Sequence, residues 1–281
     1  SSFSLTEFQG LLGSSTFDEM VAQSNHLKRF TVWSMRFTGE GILSLGGKCQ
    51  LSHLDLTRNY LSDDLPYIPT LRYFRIRAPP EKFSDSSNLR HLFSVELIDC
   101  PEVKSLDGLN QVSVVTVEKC GLESLEGLRG EKYHRSISII KCPQIKDFSP
   151  LSNVKKVMIE YCDGFTDCSQ VKGVKDLTLI FCEKLLTLGS LPHCQSLTLI
   201  RMDHLDSLAS VRDVPELYIR YFMNNKLLYD LGGAKNQKLS FAQVGEVPED
   251  LPYLQNYLKY DGREEYYGNS TLSSVILLRK I

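Results

Sequence analysis

Cys100, Cys120, Cys142, Cys162 and Cys182 fall 20 residues apart, with one step of 22, and each closes the same pattern of apolar positions. The units run Leu92-x-x-Val95-x-Leu97-x-x-Cys100 and Val112-x-x-Val115-x-Val117-x-x-Cys120, then Val154-x-x-Val157-x-Ile159-x-x-Cys162 and Val174-x-x-Leu177-x-Leu179-x-x-Cys182. The phase outlasts the cysteine. It continues through Cys194-x-x-Leu197-x-Leu199-x-x-Met202 and Val214-x-x-Leu217-x-Ile219-x-x-Phe222, and upstream Leu51-x-x-Leu54-x-Leu56-x-x-Asn59-x-Leu61 carries asparagine in the cysteine slot. A chain built this way cannot bury the apolar face of one unit alone, so it must stack its units into a solenoid.

Within each unit the apolar-x-apolar core alternates at period 2, which predicts a short strand with two side chains inward and their neighbours outward. Stacked units place these strands side by side in a parallel sheet. The return half, as in Cys100-x-x-Val103-x-x-Leu106-x-x-Leu109, turns an apolar group inward every third residue. Only about ten residues remain for that return, too few for a helix with its turns. Extended or 3₁₀ segments are expected there, and gentle curvature.

On these motifs the chain resembles the leucine-rich repeat family, over about nine units between residues 51 and 222. The wording L-x-I-x-x-C-x-x-L-x-x-L is most similar to the irregular cysteine-containing repeats of plant resistance receptors and related intracellular proteins, although no nucleotide-binding P-loop accompanies it here. The expected fold is an α/β repeat solenoid: a leucine-rich repeat horseshoe with a parallel concave β-sheet, a mostly non-helical convex side and a helical N-terminal cap. Residues 1–26 form the cap on this reading, where Phe3, Leu5, Phe8, Leu11, Leu12, Phe17, Met20 and Val21 recur at mainly three- and four-residue intervals. Residues 27–222 are the repeats, and 223–281 are divergent repeats and a C-terminal cap.

The cysteine slot sits where the chain leaves the strand, and a small side chain there reaches exposed backbone groups of the loop. Asparagine does this well, and cysteine does it weakly while burying like an apolar group. A structural ladder of thiols is the reading preferred over a metal or redox site. Zinc needs ligands that converge tetrahedrally, not a line along a stack, and no C-x-x-C occurs. Extracellular members of such a family cluster cysteines in disulfide-bonded caps. Five of the eight cysteines here occupy interior repeat positions, so an intracellular, cytoplasmic location is expected.

The formal charge of -2 gives no basic field, so nucleic acid is disfavoured as a partner. No run approaches a membrane span and the first residues carry no leader pattern, so no membrane insertion is expected. Asn269-Ser270-Thr271 matches a glycosylation triplet that arises often by chance. The six histidines are scattered singly, and no Walker A, H-E-x-x-H or G-x-S-x-G sequence occurs. No enzyme activity, cofactor or metal is expected.

The outward positions of the strands carry the functional signal. Across the later repeats Ile140, Met158, Tyr161, Ile180, Phe181, Ile200, Tyr218 and Tyr221 are read as an apolar and aromatic patch fringed by Lys141, Arg201 and Arg220. Large aromatics beside arginine are the composition of binding hot spots. The competing explanation is that Ile, Tyr and Phe are good strand formers, or that a terminal segment covers them. Across the earlier repeats Arg58, Arg72, Arg75 and Arg77 either bind an anion or are solvated charges balanced by Asp55, Asp63 and Asp64. The leading expectation is a non-catalytic module that binds another protein on its concave face. The alternatives are a constitutive subunit of a larger assembly, and anion or nucleic-acid binding through the early arginines.

Overall fold

The computed structural model describes residues 7–10, 28–33, 36–37, 50–57, 60–61, 65–77, 84, 86–130, 135–224, 226–242, 257–261 and 275–280. Two compact units are present, Ser1–Lys146 and Asp147–Ile281.

The first unit is a repetitive parallel sheet. Its strands are β1 (Glu7–Gly10), β2 (Arg29–Trp33), β3 (Arg36–Phe37), β4 (His53–Thr57), β5 (Tyr60–Leu61), β6 (Tyr73–Arg77), β7 (Ser94–Ile98), β8 (Val114–Glu118) and β9 (Ser136–Ile140). Seven of them pair in the order β1-β2-β4-β6-β7-β8-β9, every pair parallel, and β3 pairs with β5 separately. The register is one repeat per strand: Val115 faces Val95 and Ile137, and Val117 faces Leu97 and Ile139. All six are fully buried, while Val114, Thr116 and Glu118 between them are partly exposed. The alternation expected from the apolar spacing is therefore present, and β-branched residues fill it.

The second unit repeats the plan with β10 (Lys156–Glu160), β11 (Asp176–Ile180), β12 (Ser196–Ile200), β13 (Glu216–Arg220) and β14 (Lys238–Ala242), all parallel in sequence order. The plan then changes. β16 (Val275–Lys280) runs antiparallel to β14, and β15 (Tyr257–Asp261) runs antiparallel to β16. One reversed strand, β16, therefore ends the parallel run, and β15 beyond it returns to the direction of β14.

The return segments are short 3₁₀ turns, at Ser87–Leu89, Leu109–Gln111 and Glu126–Leu128 in the first unit and Ser149–Leu151, Cys168–Val171 and Ala209–Val211 in the second. Apolar groups at every third position enter the core: Val103, Leu106, Leu109 and Val112 are all at 0% exposure. Among the described residues a single α-helical turn occurs, Lys226–Tyr229. Return segments of neighbouring repeats pack so closely that a Cβ on Gly121 would lie 1.9 Å from the Pro101 carbonyl oxygen.

At the N-terminus the structure departs from the helical spacing at four residues. Glu7–Gly10 is a strand, added in parallel to β2, where it satisfies backbone groups that an open edge would leave unpaired. The remainder of the expected 1–26 cap lies outside the described residues.

Candidate functional site

From β7 to β13 the chain leaves each strand through the same local geometry. Asp99, Lys119, Lys141, Tyr161, Phe181, Arg201 and Tyr221, each directly after a strand, have φ between 47° and 57°. This left-handed conformation costs an ordinary L-residue about 1–2 kcal/mol, and glycine or asparagine fills it most cheaply. The repeat offsets the cost by a hydrogen bond. In the first unit the amides of Asp99 and Lys119 donate to the carbonyls of Glu118 and Ile140 at 2.8 and 2.9 Å. In the second, Tyr161, Phe181 and Arg201 donate to Ile180, Ile200 and Arg220 at 3.0, 3.0 and 3.1 Å.

The cysteine follows and is buried. Its thiol donates to the carbonyl two residues back, at 3.4 Å for Cys100 to Ile98, 3.3 Å for Cys142 to Ile140 and 3.3 Å for Cys162 to Glu160. Cys120 and Cys182 also reach the preceding repeat, at the carbonyls of Leu97 and Ile159. Burial pushes the thiols of Cys142, Cys182 and Cys194 up to about 11, so at neutral pH they stay protonated and act as small apolar fillers with one weak donor. Cys100, hydrogen-bonded to the Cys120 sulfur and buried, is raised, while the same contact lowers Cys120.

The later-repeat patch falls mainly in the second unit. Met158, Tyr161, Ile180, Phe181, Ile200, Tyr218, Arg220 and Tyr221 are half-buried, and Arg201 is exposed. Ile180, Ile200 and Arg220 share one register row with Glu160. The row before it reads Met158, Thr178, Thr198 and Tyr218, so two threonines separate its apolar members. The left-handed row supplies the ring contacts. Tyr161 and Phe181 pack at 4.9 Å between centroids, tilted by 50°, and the Arg201 guanidinium lies 5.6 Å from the Tyr221 ring. Tyr218 is tied down by its neighbours: its hydroxyl donates to Glu216 at 2.8 Å, and Lys238 Nζ sits 4.9 Å from its ring. Burial, ahead of these contacts, raises its phenol. Ile140, half-buried, ends β9 and Lys141, exposed, follows it; both belong to the first unit.

The early arginines do not share a common target. Arg72 Nη1 donates to the carbonyls of Pro69 and Leu71, at 2.9 and 2.8 Å. Arg75 lies in register between Asp55 and Glu96, with Nε 3.4 Å from the Glu96 carboxylate. Arg77 is exposed at the end of β6, and Arg58 lies outside the described residues.

Beside Arg72 is a feature that the outward-slot reading misses. The rings of His53 and Tyr73 stack at 4.2 Å and 10°, and Phe93 leans on Tyr73 at 5.6 Å. Tyr67 contacts His91 at 4.6 Å in the adjoining return segments. Tyr67, Tyr73 and Phe93 are 50%, 40% and 37% exposed, the largest exposed apolar side chains of the first unit among the described residues. Tyr73 is visible in the sequence as an outward residue, but Phe93 sits one position before its strand and falls outside the slots that alternation defines.

A cleft of about 770 Å³ opens in the second unit between return segments and strand starts, lined by Lys175, His193, Gln195 and Asp213 among others. It lies where residues 188–191 run without the 3₁₀ turn of the neighbouring repeats, and these four side chains are exposed. Among the described residues, no group of three or more His, Cys, Asp or Glu side chains could hold a metal ion, and no helix is long and apolar enough to cross a membrane. Comparison with protein-family models, with curated proteins and with solved structures finds no match to this chain.

Proposed function

We propose that the chain is a non-catalytic protein-interaction module of the leucine-rich repeat kind, with a cap at 1–26, repeats over 27–222 and divergent repeats with a second cap over 223–281. It works inside the cell, needs no cofactor, and binds a partner protein through the sheet face of its second unit. The observation that carries this reading is the choice of side chains at the left-handed positions. Tyr161, Phe181, Arg201 and Tyr221 stand where glycine or asparagine would cost least, and the core makes no use of them. Bulky rings at a costly backbone position call for a reason outside the fold.

Aromatic anchors with arginine at the fringe supply large contact area at a low cost in ordering, and a regular sheet presents them already in place. Replacement of Tyr161 and Phe181 by alanine is expected to weaken partner binding by about 2 kcal/mol or more each if both are central anchors. Affinity purification from native lysate, with the double variant as the control, tests the assignment. Partners retained by a correctly folded double variant would move the contact elsewhere on the chain.

A further inference from the structure

The exposed rings of the first unit play no part in the proposed second-unit face. They are held in place before any ligand arrives. The Ser52 hydroxyl, bonded to the Lys28 carbonyl at 3.1 Å, is 2.8 Å from His53 Nδ1, which orients the imidazole against Tyr73. Arg72, immediately before Tyr73, commits only Nη1, to two carbonyls of its own segment. Among the described residues its Nε and Nη2 make no hydrogen bond. Those two N–H groups are the parallel pair that grips a carboxylate bidentately, and the Nη1 bonds fix the plane in which they lie.

Charge complements this geometry. Among the described residues of 50–98 the exposed charged side chains are Arg72, Arg77 and Arg90, whereas Asp55 and Glu96 are half-buried. We propose that the ridge formed by Tyr73, Phe93 and Arg72 docks a short acidic segment of another protein, with a carboxylate on the Nε–Nη2 edge of Arg72 and an apolar side chain against the rings. Three exposed arginines are few, and Asp55 and Glu96 flank Arg75, which suits a few carboxylates better than a polyphosphate chain. His53 and Tyr73 also cover one another's faces, so a nucleic-acid base finds less free ring surface to stack on.

A random short-peptide display library panned against the full chain, followed by anisotropy titration of the selected peptides, tests this site. The expected peptides pair Asp or Glu with a bulky apolar residue. Their affinity should fall at least about tenfold with Arg72→Gln and with Tyr73→Ala, and nearly as far with Arg72→Lys, which keeps the charge but loses the fork. The Tyr161→Ala and Phe181→Ala double variant should bind them unchanged. Circular dichroism melting confirms that each variant is folded, and Arg72→Lys, an exposed conservative change, serves if Tyr73→Ala is not. The proposal is overturned by failure to select any peptide, by selected peptides without acidic residues, or by unaltered affinity in folded Arg72→Gln. Tighter binding of a labelled oligouridine through the same residues would also overturn it, in favour of nucleic acid.

Discussion

The two sheet faces are made from the same repeat and similar residue types, yet they expose them differently. In the second unit the rings stand at the ends of strands, in left-handed positions, and pack sideways on one another until each is half-buried. In the first unit they stand at or before the starts of strands, where Tyr73 and Phe93 stay 40% and 37% exposed. Pointing away from the core is therefore not the same as being available. Availability is decided by what packs beside each ring: Tyr161 and Phe181 cover one another, whereas Tyr73 has the His53 ring on one side and only the small Ser94 in register on the other.

The largest test of the contrast removes the support of one face. Leu179, fully buried beneath the second-unit patch, should cost about 2–5 kcal/mol on replacement by alanine, read as a shifted urea midpoint. If the loss is under 1 kcal/mol, the repeat is not packed as described. Next in size is the loss of partner affinity, about 2 kcal/mol each for Tyr161→Ala and Phe181→Ala, with a much smaller change in stability. An equal loss of stability would make the rings structural.

A smaller effect separates the faces by sign. At Phe181 the glycine variant should be more stable than the alanine variant by about 1 kcal/mol, because glycine tolerates positive φ. At Tyr73, within an extended strand, the order should reverse by about 0.5–1 kcal/mol. Chemical denaturation of the four variants checks both, and the same order at both sites would remove the left-handed distinction. Last, the buried thiols should show in alkali. Raised thiols at Cys142, Cys182 and Cys194 keep their protons in the folded state, so the stabilisation is complete below pH 9 and is lost as pH rises from 9 towards about 11. A midpoint independent of pH across that window would exclude such a contribution.

Much of the fold is legible in the spacing alone. Val95 and Leu97 declare an inward pair, the cysteine marks the exit from the strand, and apolar groups every third residue foretell the 3₁₀ return. The left-handed residue is hidden because its backbone state is set by the turn and by the amide bond to the next repeat. Tyr, Phe and Arg do not advertise positive φ as glycine does. The arginine cluster is legible as composition but not as geometry, since Arg72 gives its Nη1 to carbonyls of its own segment and Arg75 faces Glu96. Strand β1 is masked in the sequence by apolar residues spaced as for a helix, and pairing with β2 overrides that local preference.

The most direct test of the central claim is affinity purification of the full chain alongside the Tyr161→Ala, Phe181→Ala double variant, with co-purifying proteins identified by mass spectrometry. A partner present with the natural chain and lost with the folded double variant is the predicted result. The same partners recovered in equal amount from both would contradict a binding role for the left-handed aromatic row.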